Sequence, residues 1–95
     1  MNRESIISKL KSHKRDLSDR YPIRSLGLFG SFAREEATPN SDIDILVDFS
    51  EPVGMEVVDL ALELEDILQH RVDLITYNAA KQRLLDFISE DLIHV

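Results

Sequence analysis

Ser41-Asp42-Ile43-Asp44-Ile45-Leu46-Val47-Asp48-Phe49 alternates polar and apolar side chains almost without a break. A period of two reads as a β-strand with one apolar face and one acidic face. The apolar face needs cover, so the neighbouring segments have to supply it. Upstream, Ser25-Leu26-Gly27-Leu28-Phe29-Gly30 is a short apolar run closed by glycine, the mark of a buried strand. Ser31–Glu36 then has room for one or two helical turns before the breaker Thr38-Pro39-Asn40. At the N-terminus, Ile6, Ile7, Leu10, His13 and Leu17 recur at spacings of three and four. They predict an amphipathic helix over residues 3–20, capped by Asn2 and ended by Pro22.

Downstream of a Ser50–Gly54 loop, residues 55–70 carry Val57, Ala61, Leu64 and Leu68 on one stripe, with Glu56, Asp59, Glu63 and Asp66 outside it. Arg71–Thr76 reads as a further strand, Ala79–Ser89 as a closing helix with Leu84, Leu85 and Ile88 inward, and Asp91–Val95 as either a short last strand or a frayed end. The order of elements predicts an α/β domain: a small mixed sheet of three to four strands flanked by helices, with Ser41–Phe49 pairing centrally.

Ninety-five residues suffice for a single domain spanning 1–95. A composition of 43% hydrophobic and 31% charged residues, with only 3 Gly and 3 Pro, is that of a packed domain. The absence of cysteine excludes a disulfide scaffold, a thiolate zinc site and a cysteine nucleophile. No apolar run approaches the roughly 20 residues that span a bilayer, so a soluble, cytoplasmic protein with no membrane partner is expected. The net charge of −7 argues against direct nucleic-acid binding, which depends on basic side chains neutralising phosphates. That charge is unevenly spread, at +5 over residues 1–34 and −12 over residues 35–95. Either ordinary solvated helix faces or a basic surface beside a carboxylate-rich site accounts for it.

Asp42 and Asp44 lie two apart on the predicted strand, which puts both carboxylates on one face about 6.6 Å apart at the backbone. No basic residue in that strand balances them, and hard oxygen ligands would suit Mg²⁺ or Mn²⁺. Asp-x-Asp read alone favours a solvated strand face. Gly30-Ser31 adds a strand-to-helix turn whose backbone can approach a phosphate. Asp73, inside the apolar run Val72-Asp73-Leu74-Ile75, adds a carboxylate that would need a partner if buried. An EF-hand fails because Leu46 and Val47 stand where an oxygen ligand and a glycine are required, and a Walker loop fails because no Gly-Lys-Ser/Thr follows Gly30. Arg34 is either a phosphate contact or the partner of Glu35 or Glu36. Asp48, about 13 Å from Asp44 along the strand, reads as solvated. His13, His70 and His94 show no ligand spacing, and Tyr21 and Tyr77 either stack on a base or pack at a core edge.

Taken together, Gly30-Ser31, Arg34 in a G-S-x-A-R context, and Ser41 before Asp42-x-Asp44 resemble the polymerase-β-like nucleotidyltransferase superfamily. The likeness is greatest to its minimal members, the MNT-domain antitoxins of the MntA type that accompany HEPN-domain toxins. It extends from Ile23 to Thr76, with one departure at Glu35, where many relatives carry glycine. The resemblance implies the nucleotidyltransferase fold, with Gly30 and Ser31 holding the nucleoside triphosphate, and Asp42, Asp44 and Asp73 binding two Mg²⁺ ions. It also implies ATP as substrate and in-line displacement at the α-phosphorus with pyrophosphate leaving. A partner is implied as well, a HEPN ribonuclease toxin in a hetero-oligomer, adenylylated on tyrosine. Two other readings differ in the outcome: an antitoxin that only masks its toxin by binding, and a nucleotidyltransferase acting on a small molecule or a tRNA end.

Overall fold

The computed structural model describes all 95 residues. Helix α1 (Arg3–Arg20) begins in a capping box: the Asn2 side chain accepts from Ser5 N at 2.9 Å, and Asn2 N donates back to Ser5 Oγ at 3.2 Å. Ile6, Leu10 and Leu17 form its buried stripe, whereas His13, expected on that stripe, is exposed. The chain extends at Tyr21 and Pro22 into β1 (Ile23–Phe29), which starts two residues earlier than its apolar run, because Ile23 pairs with Phe49 beyond a bulge. A short helix α2 (Gly30–Ala33) follows, then β2 (Ile43–Phe49), α3 (Glu56–Leu68), β3 (Val72–Thr76), α4 (Gln82–Ser89) and β4 (Ile93–His94).

The strands form one sheet in the order β3-β2-β1-β4. β2 runs parallel to β3 and antiparallel to β1, which is antiparallel to β4, so the sheet is mixed and β2 is an interior strand as expected. The α3 crossover is what permits the parallel pairing. On one face, Ile43, Ile45 and Val47 of β2 join Leu26 and Leu28 of β1 under α1 and α3, in a core cluster of 14 buried residues. On the other face, Leu46 and Phe29 meet Ile88 of α4 in a cluster of only 3.

Two helix stripes differ from expectation. In α3 the fully buried positions are Leu60, Leu64 and Leu68, while Val57 and Ala61 lie at the margin, so the stripe is centred about one residue from the predicted one. Gln69, in the left-handed conformation at φ 51°, ends α3. The closing helix begins at Gln82 rather than Ala79, because Ala79 N is held by Thr76 Oγ1 and the Thr76 carbonyl in a turn. Within it Ile88 is buried and Leu85 partly so, but Leu84, expected inward, faces out. No helix is long and apolar enough to cross a membrane.

Candidate active site

Alternation along β2 sends Asp44, Leu46 and Asp48 to the α4 side of the sheet, because Ile43, Ile45 and Val47 point into the large core. Parallel pairing aligns Asp44 with Asp73, so both carboxylates stand on that side. The two strands carry the same local pattern, Asp42-Ile43-Asp44-Ile45-Leu46 against Arg71-Val72-Asp73-Leu74-Ile75, and the sheet stacks them in register.

Gly30 faces this pair from the end of β1. Its φ of +79° is in the left-handed region, and an added Cβ would meet Asp44 Oδ2 at 2.1 Å. Only glycine allows the backbone to lie against the carboxylate here. Ser31 comes next, at the start of α2, a helix whose first turn no side chain caps. The Gly30-Ser31 turn and Asp44 are thus brought together as the sequence suggests.

The Asp44 carboxyl is raised above its ordinary pKa, first by burial, then by the charges of Asp73 and Asp42, with Arg34 opposing the shift. Burial and the neighbouring carboxylates thus make the Asp44 anion costly, a cost that a bound cation would relieve. Asp42 is less tightly drawn in. It lies one residue ahead of β2, exposed, with Oδ1 accepting from Arg71 Nε at 2.8 Å. Arg71 also donates to the Asn40 carbonyl at 2.9 Å. A basic partner does exist for the acidic pair, then, but it comes from the start of β3 rather than from β2. Asp73 is exposed instead of buried, because β3 is an edge strand whose outer face lacks a covering helix at that point. In this arrangement no three Asp, Glu or His side chains are close enough to ligate one ion. The donor set, all carboxylate oxygens, nevertheless fits a hard divalent cation.

Arg34 ends α2 and pairs with Asp91 (Nη1 to Oδ2, 2.7 Å) and with Glu36 (3.2 Å). Those hydrogen bonds, Asp91 first, raise its pKa and keep it charged. Glu35 instead meets Arg3 at 2.6 Å, and its φ of 60° is the conformation that glycine adopts freely. Asp48 is not solvated: it is mostly covered and pairs with Arg24 at 3.4 Å. His13 and His94 are exposed, and His70, just past α3, bonds the Ser41 carbonyl through Nε2 at 2.6 Å, so none joins the carboxylates. Arg71 and Asp91 are the two site neighbours that the sequence reading missed. The repeated pattern across β2 and β3 could have found Arg71 once parallel pairing was assumed, whereas nothing local marks Asp91.

Paired carboxylates against a glycine-serine turn, on a small mixed sheet, are the arrangement expected of a nucleotidyltransferase. Comparison with known proteins gives the same class. A family model described as a nucleotidyltransferase domain matches residues 10–95. The protein adenylyltransferase MntA of Thermococcus cleftensis is 39% identical over 93 residues, covering 97% of this chain and 94% of that protein. A solved structure assigned provisionally as a minimal nucleotidyltransferase superposes with a TM-score of 0.84 at 31% identity, covering 98% and 95% of the two chains. A structure of a tri-AMPylated Shewanella oneidensis HEPN toxin in complex with its MNT antitoxin shares the fold at a TM-score of 0.71 and 22% identity, covering 97% and 70%. The chain belongs to the nucleotidyltransferase domain family, among its minimal, MntA-like members, and is an enzyme of that class.

Proposed function

We propose that this nucleotidyltransferase moves AMP from ATP to a tyrosine hydroxyl of a cognate HEPN-type toxin, with which it forms a hetero-oligomer in the cytoplasm, and so acts as an antitoxin. The observation that carries this reading is the approach of Gly30 to Asp44, with Asp73 in register beside it. The backbone at Gly30 and the Ser31 hydroxyl would take the phosphate oxygens. Asp42, Asp44 and Asp73 would hold Mg²⁺, two ions by family resemblance and Mn²⁺ as a substitute, which when bound offsets the charge of the triphosphate. Asp73, exposed on its edge strand, is open to an incoming hydroxyl and would take its proton. The acceptor oxygen then bonds to the α-phosphorus while the bond to pyrophosphate breaks. Arg34, already charged at the border of the site, would exchange Asp91 for a phosphate oxygen.

Support for the acceptor comes from the names of the relatives, a protein adenylyltransferase and an MNT antitoxin bound to an AMPylated toxin. The test is intact mass spectrometry of a cognate HEPN-type protein after incubation with this chain, ATP and Mg²⁺. The unmodified chain should add whole AMP units, and an Asp42→Asn/Asp44→Asn variant none. Inhibition of the partner with no mass change would refute transfer in favour of masking by binding.

A further inference from the structure

On the sheet face that bears Asp44 and Asp73, α4 is the one covering helix, and it lies further along the strands. Leu46 and Ile75, two residues further along β2 and β3, pack with Ile88 and Leu85 beneath it, and an open groove of about 210 Å³ remains between Leu46, Tyr77 and the helix. The apolar stripe of α4 is wider than the strip the sheet covers, since Leu84 and Phe87 flank Leu85 and Ile88 on the same face, with Arg83 and Glu90 opposite. Phe87 is 62% exposed, Leu84 39%, and Tyr77 at the mouth of the groove 48%. An apolar stripe that runs past its own sheet leaves a contiguous exposed patch, the mark of a surface that another molecule covers.

What covers it follows from where it lies. The opposite face of the sheet is filled by α1 and α3, so a hydroxyl that reaches Asp73 arrives on the side of the sheet where α4 lies. The groove is smaller than the 300 Å³ or more typical of small-molecule pockets. Asp86 lines the groove and Glu90 follows it one turn on, against Arg83 as the basic residue within the helix, and Asp44 and Asp73 add negative charge on the same side of the sheet. A two-fold dimer through this patch would set those carboxylates against their own copies. Nucleic acid would be repelled in the same way.

We infer that Tyr77, Leu84 and Phe87, with the adjoining groove, form the docking surface for the protein acceptor, which presents an apolar anchor within a basic rim. This inference rests on the reading of the chain as a protein adenylyltransferase and specifies where its acceptor sits.

The test uses the full chain and a purified cognate HEPN-type protein, with Phe87→Glu and Leu84→Glu compared against Leu62→Glu. Leu62 is a control of equal exposure on α3, at the opposite face. The α4 variants should weaken partner binding and raise the acceptor KM about tenfold or more, as expected for a buried aromatic anchor. The kcat and the thermal shift produced by ATP and Mg²⁺ should not change, and Leu62→Glu should behave as the unmodified chain. Partner binding that survives both α4 substitutions, binding lost on Leu62→Glu, or a self-dimer that Phe87→Glu splits would each overturn the assignment. Binding abolished by Phe87→Glu while the unmodified chain transfers no AMP would leave the docking surface standing and refute the transferase reading alone.

Discussion

Gly30→Ala is the sharpest probe of the site, because two independent costs fall on one methyl group. The first is conformational: at φ +79° an L-residue is disfavoured by roughly 1–2 kcal/mol. The second is steric. The new Cβ would sit 2.1 Å from Asp44 Oδ2 and 2.9 Å from its Cγ, contacts that only movement of the carboxylate or the turn can relieve. Overpacking of this kind costs typically 1–3 kcal/mol, so the total is about 2–5 kcal/mol. For a chain of 95 residues each kcal/mol lowers Tm by roughly 4–8 °C, which thermal or urea unfolding resolves easily. The control is Gly54→Ala, where nothing lies within 4 Å. A second variant divides the two costs: in an Asp44→Ala background the carboxylate is gone, so Gly30→Ala should lose most of its steric penalty and keep the conformational one. If Gly30→Ala costs no more than Gly54→Ala, or if its cost is the same with and without the Asp44 carboxylate, the glycine does not serve as the close-approach point and the geometry of the phosphate turn is wrong.

Other perturbations test the remaining parts. Asp44→Asn should raise the metal-free unfolding midpoint at pH 7, since the folded protein there carries a carboxylate whose pKa burial and Asp73 have raised. A raised folded pKa means that stability falls as pH rises through it, so the advantage of Asn should shrink as the pH is lowered below that value, and an advantage constant with pH would contradict the assignment. Gln69→Gly at the left-handed C-cap of α3 should stabilise by about 1 kcal/mol in urea unfolding, whereas Gln69→Ala, which keeps the φ of 51° and loses the 2.7 Å bond to the Asp66 carbonyl, should not. Leu64→Ala, in the large core, should cost about 2–5 kcal/mol by the same assay.

The strand Ile43–Phe49 was legible because two faces with opposite chemistry leave a strict period, and from it the interior position of β2 followed. The caps were legible too, since Asn2 and Pro22 act within their own turn. What escaped was the part decided by cover from elsewhere. Asp73 stands in an apolar run that looks buried, yet its strand is at the sheet edge, and local sequence does not say which strand is last. Leu84 reads as core on periodicity, but an eight-residue helix has too little inner surface for Leu84, Leu85 and Ile88 together. The ion pairs of Asp42 with Arg71 and of Arg34 with Asp91 join segments 29 and 57 residues apart, separations over which no periodic signal extends.

These misreadings share one cause, and it bears on how the site works. A carboxylate kept for an incoming hydroxyl has to remain reachable, so the strand that carries it cannot be sealed on that face. Asp44 accordingly lies on an interior strand where burial raises its pKa, while Asp73 lies on the edge, exposed, at the same register. The same opening leaves α4 alone over the reactive face, with a core cluster of 3 residues against 14 on the other side. Stability therefore comes from one face of β2 and reactivity from the other. Substitutions at Ile43, Ile45 and Val47 should act through folding, and those at Asp44 through function with stability unchanged or raised. If the proposed function holds, the repulsion among these carboxylates is relieved by a cation and a triphosphate, and binding of both should raise Tm in the unmodified chain far more than in Asp44→Asn.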